Sequence, residues 1–94
     1  MDAAFDLLRY AKTVLVPRLE EMLVLSQAFG PPEQVGFFTI IRDQIAKAND
    51  PADVAEAFLH LSSAAFLGFD YEPEQSELLH EILELAETLS ETLS

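Results

Sequence analysis

Apolar residues recur every three or four positions along most of this chain, and the breaks between these stretches carry proline, glycine or aspartate. That period is the mark of helices with a buried face. The stretch around which the rest is expected to be organised opens Asp50-Pro51-Ala52-Asp53 and closes Leu67-Gly68-Phe69. Asp50 suits an N-cap, Pro51 the first helical position, and Asp53 the positive end of the helix dipole. Gly68 suits the left-handed turn that ends a helix, with Phe69 folding back on the last turn. Asp53, Glu56, His60 and Ser63 trace one narrow polar stripe. The rows Val54, Phe58, Leu61, Ala65 and Ala55, Leu59, Ser62, Phe66 fill the remaining circumference. A helix so apolar is expected to be the central member of a bundle.

Before it, Asp2 to Phe29 reads as a helix with a flaw. Phe5, Leu8, Leu15, Leu19, Met22 and Phe29 keep a 3-4 spacing, with Lys12 and Ser26 in its gaps, and Leu7, Ala11 and Val14 widen the face. Pro17 removes a ladder donor, presses on the carbonyl of Thr13 and disfavours helical angles at Val16. The run Thr13-Val14-Leu15-Val16 is β-prone as well. The spacing nevertheless keeps its phase through the proline, which predicts one kinked helix rather than two. Gly30-Pro31-Pro32 stops it. A second helix is expected from about Pro32 to Ala48, with Val35, Phe38, Ile41, Ile45 and Ala48 on its inner face and Phe37 and Ile40 beside it. Gly36 inside that helix costs ~1 kcal/mol against alanine, a cost that close approach of another backbone would offset. The last helix begins near Pro73. Leu78, Ile82, Leu85 and Leu89 form its apolar row, with Leu79, Ala86 and Leu93 alongside and Glu77, Glu81, Glu84 and Glu91 opposite. The predicted fold is all-α: a compact four-helix antiparallel bundle with the first helix kinked at Pro17, since short connections favour antiparallel neighbours.

Ninety-four residues bound this to a single helical domain, residues 1–94, with one core. Half the residues are hydrophobic, which argues against disorder. Without cysteine there is no disulfide framework and no thiol nucleophile. No basic stretch followed by an apolar run opens the chain, and no apolar run approaches the ~18–20 residues of a membrane span. A cytoplasmic protein is the expectation.

Charge changes the picture more. The net charge is −12, and all five Lys and Arg lie within residues 1–47 beside six acids. Residues 48–94 carry the other eleven acids and no Lys or Arg. Such a surface repels phosphate, so direct nucleic-acid binding and anionic membranes are disfavoured. The charge is compatible with a basic protein partner and equally with plain solubility. On the last helix, Glu77 and Glu81, like Glu87 and Glu91, are like-charge pairs four apart, each costing ~0.2–0.5 kcal/mol. The plain reading is a solvated face; the functional one is a docking face for a basic partner.

Glu77 with His80, and Glu56 with His60, have the three- and four-residue spacing of helical carboxylate–histidine metal sites. Glu77 falls on the polar face of its helix, however, and Glu20-Glu21 is the one acidic cluster of the first half. His60 therefore reads as a polar-stripe side chain and His80 as a boundary one, both hydrogen-bonded or solvated, and no metal or cofactor is expected. No phosphate loop or nucleophile elbow is present, and Ser62-Ser63 beside His60 does not build a triad. No enzymatic activity is expected. The aromatic residues Phe37, Phe38, Phe58, Phe66, Phe69 and Tyr71 are many for one small core. The reading is thus a small non-enzymatic interaction module, an adaptor, regulator or chaperone-like protein. Its expected partner surface joins Phe37, Phe69 and Tyr71 to Glu77, Glu81, Glu84 and Glu91. A homodimer is one way to cover that surface. A Glu/His metal-binding bundle and an acidic antagonist of a DNA-binding protein are the alternatives.

Overall fold

The computed structural model describes residues 3–63 and 71–93. Helix α1 (Ala3–Tyr10), a π-helical turn (Ala11–Leu15) and α2 (Val16–Phe29) follow one another without a break. Then come α3 (Pro32–Ala46), α4 (Pro51–Ser62) and α5 (Pro73–Leu93). The first three segments form one rod, so the protein is an all-α bundle of four helices, 42 Å in its longest dimension.

The irregularity expected at Pro17 takes the form of the π turn just ahead of it. Tyr10, Leu15 and Val16 all keep right-handed helical angles, and Val16 holds φ −58°, ψ −48° although a proline follows. The buried residues of the rod show why a wider turn belongs there. Leu7, Ala11, Leu15, Leu19 and Leu23 are all buried at strict intervals of four. In a regular α-helix each such step overshoots a full turn by about 40°, so the row would wind off the core. A π turn advances less per residue and returns the row to one face. The same widening relieves the clash between the Pro17 ring and the preceding turn.

Asp50 caps α4 as expected: its Oδ1 accepts the Ala52 N–H at 2.9 Å, and Asp53 Oδ2 accepts the Asn49 N–H at 3.2 Å. The described part of α4 ends at Ser62, where the Ser63 hydroxyl donates to the His60 carbonyl at 2.6 Å. The expected stop at Gly68 and Phe69 lies outside the described residues. Val54, Ala57, Phe58 and Leu61 are buried, whereas Leu59 is 73% exposed. The second apolar row of α4 is therefore open to water at Leu59. The most extensive contact in the bundle is α2 on α3, with α4 resting on α3 and α5 bridging α2 and α4. Among the described residues the bundle is centred on α2 and α3 rather than on α4: the rod and α3 supply most of the large fully buried side chains, Phe38, Leu15, Leu19, Met22, Ile41 and Ile45, and α4 and α5 add Leu61 and Ile82.

Other expectations shift in detail. Phe29, placed on the inner face by spacing, is 58% exposed at the end of the rod. The inner face of α5 runs through Leu79, Ile82, Ala86 and Leu89, with Leu78 and Leu85 only half-buried. Gly36 is exposed, and a Cβ there would meet nothing within 4 Å. No backbone approaches it, so its glycine has no packing benefit. Gly36→Ala is expected to stabilise by about 0.5–1 kcal/mol, read as a shift of the urea midpoint at unchanged slope.

Candidate functional site

Among the described residues three polar side chains are fully buried: Ser26, Gln34 and Gln75. They lie where the rod ends, α3 begins and α5 begins. Gln75 Oε1 accepts the Glu72 N–H at 2.9 Å, one half of a capping box at the start of α5. Its Nε2 donates to Gln34 Oε1 at 2.7 Å. Gly30 makes room for this. Its backbone is extended, φ −105°, so conformation does not demand glycine. A Cβ, however, would overlap the Gln34 amide oxygen and come within 3.1 Å of the Ser26 carbonyl. The amide pair thus locks the first turn of α5 against the α2–α3 corner.

At the other end of the same helix pair, Arg18 reaches across from α2 to Glu81 at 3.1 Å and along its own helix to Glu21 at 3.9 Å. The two locks set α5 antiparallel to α2. Between them lies a groove of about 500 Å³, lined by Glu21, Val24 and Leu25 of α2 and by Glu74, Glu77, Leu78 and Glu81 of α5. Its floor is aliphatic, and Val24 is 65% exposed. Its edges carry four carboxylates. Arg18 serves Glu21 and Glu81; Glu74 and Glu77 are exposed and have no ion pair among the described residues.

The residues singled out from sequence separate here. Glu77 and Glu81 line the groove. Glu84 faces elsewhere and holds His80 Nε2 at 3.0 Å. Glu91 is exposed farther along α5. Phe37 is half-buried, edge-on to Phe38 with centroids 5.0 Å apart. Tyr71 is half-buried against the core, and burial pushes its phenol above the usual 10.0. Phe69 lies outside the described residues. His60 sits on the surface with Nδ1 3.0 Å from Gln44 Oε1. Among the described residues no three of His, Asp and Glu converge.

Sequence reading missed Glu21, Val24, Leu25, Glu74 and Leu78 as groove residues. One signal was present: Val24 is an aliphatic residue on the solvent side of its helix, close to Glu20-Glu21. The sequence reading also left the α5 glutamates without any cation. The fold supplies one, because Arg18 comes from the other half of the chain. A charge test follows. Glu87→Gln, which removes like-charge neighbours three and four residues away, is expected to add about 0.2–0.5 kcal/mol per relieved pair at low salt. Glu81→Gln, which breaks a half-exposed ion pair, is expected to add nothing or to cost up to ~1 kcal/mol. Melts at 20 mM and 0.5 M salt check this; equal gains from both variants would mean that Arg18 does not compensate Glu81.

Compared with protein families, curated proteins and solved structures, the chain has no match in any of the three. Among the described residues no helix is long and apolar enough to cross a membrane.

Proposed function

We propose that this protein is a non-enzymatic interaction module that binds a protein partner through the groove between α2 and α5. The observation that carries the reading is the combination in one trench of an aliphatic floor, Val24, Leu25 and Leu78, with four edge carboxylates that share a single arginine, two of them in no ion pair among the described residues. Exposed apolar surface costs free energy that a partner recovers on burial. The flanking charges select a basic partner and speed its approach. Burial is how a carboxylate becomes a general acid, and Glu74 and Glu77 are exposed, which suits a docking edge better. The aliphatic floor likewise favours docking of a protein over mimicry of nucleic-acid phosphate.

The test is site-resolved crosslinking. A photoreactive residue at Val24 is expected to trap a partner in host extract. The same group at exposed Glu56 on α4 is expected to trap none, and Glu77→Arg to abolish the Val24 product. Equal trapping at both positions, insensitive to Glu77→Arg, would rule the groove out as the binding surface.

A further inference from the structure

We propose that the occupant of the α2–α5 groove is an amphipathic helix with Lys or Arg beside an apolar stripe. This rests on the groove being the binding surface. The backbone around the groove decides between a helix and an extended peptide. Both walls are α-helices, whose amides and carbonyls are bonded within the helix. Among the described residues there is no strand edge, so an extended peptide would lay unpaired backbone groups on an aliphatic floor. A helix satisfies its own backbone and offers side chains alone. The trench between two neighbouring helices also presents the ridges that a third helix packs into.

The lining residues set the size and charge of the occupant. Glu74, Glu77, Leu78 and Glu81 follow the i, i+3, i+4, i+7 positions of one helix edge. They span two turns, roughly 10 Å. Val24 and Leu25 face them from α2, and at one end Arg18 pairs with both Glu21 and Glu81, leaving a single negative charge there. At the other end Glu74 and Glu77 remain open. The occupant therefore needs two apolar anchors about one turn apart for Val24 and Leu78, with its basic residues clustered at the Glu74–Glu77 end.

A synthetic peptide of about 15 residues, near the minimum for a stable isolated helix, is the probe. It carries Leu at i, i+4 and i+7 with Lys flanking one end of that stripe. Fluorescence anisotropy on the full chain measures affinity, and amide chemical shifts locate the site. Binding is expected to weaken by about tenfold or more in the double variant Glu74→Lys, Glu77→Lys, as for loss of close charge pairs across an interface. A peptide with Glu in place of Lys is expected to bind that variant instead. The milder Glu74→Gln, Glu77→Gln pair keeps the test valid if charge reversal disturbs α5. A scrambled peptide of equal composition is expected to bind far less. Equal binding of the scrambled peptide would overturn the helical occupant and leave the groove reading standing. Shifts centred on Leu59 or Ile40 would overturn both. A dimer that dissociates both on Arg9→Glu, Lys12→Glu and on Glu74→Lys, Glu77→Lys would identify the basic first helix of a second copy as an occupant of the proposed kind.

Discussion

Gln75→Ala is expected to destabilise the protein by about 2–4 kcal/mol, the combined effect of an orphaned buried amide and the space left behind. The side chain is fully buried and holds two bonds, from the Glu72 N–H and to Gln34 Oε1. Its removal leaves Gln34 Oε1 without the Gln75 donor in a corner where Gln34 Nε2 and Ser26 Oγ already lack a partner among the described residues. Gly30→Ala is expected to act on the same bond from the other side, since its Cβ overlaps the Gln34 amide. It should cost about 1–3 kcal/mol despite the usual gain from replacing glycine. The double variant Gln34→Leu, Gln75→Leu is expected to lie closer to wild type than Gln75→Ala does. No side-chain amide is then left unpaired, and Glu72, an exposed residue, can turn its N–H to water. Denaturation in urea gives the three values. A double variant as weak as the sum of its single changes would show that the amides do not act as a pair. Loss of this lock is also expected to loosen the groove, because Gln75 lies in the same first turns of α5 as Glu74, Glu77 and Leu78.

Deleting Thr13 from the π turn is expected to cost about 3 kcal/mol or more while Pro17 is present, and much less beside Pro17→Ala. Removal of one residue changes the buried spacing from four, four, four, four to four, three, four, four, which an unbroken α-helix keeps on one face. Thr13 itself is exposed and bonds only its own rod, donating to the Arg9 carbonyl at 2.8 Å. What the deletion loses is the wide turn that accommodates the proline ring. Pro17→Ala alone is expected to retain the fold and to gain well under the ~3 kcal/mol of a proline in a regular helix interior, since the π turn has already relieved most of the clash. Circular dichroism and thermal melts on the three chains decide it. Equal losses with and without Pro17→Ala would detach the π turn from the proline and leave the four-residue row as its sole cause.

The sequence by itself determined the number and type of the helices, the cap at Asp50 and the continuity of the first helix through Pro17. Each of these depends on residues within a turn or two of one another: a 3-4 spacing, an Asp before a proline, a phase held across a break. Tertiary structure alone decided which apolar face stayed open. Leu59 read no differently from buried neighbours until the other helices took their places. It also reversed the two glycines. Gly36 was expected to be crowded and faces open space, whereas Gly30, expected only to end a helix, faces the Gln34 amide. The candidate site followed the same division. Glu77 and Glu81 were visible as an acidic ridge, but the groove arises when they face Val24 and Leu25, and Arg18 reaches Glu81 from the far half of the chain. Periodicity reports what a helix shows to its surroundings. It holds no record of which other helix stands there, because that choice is made by packing between residues distant in sequence.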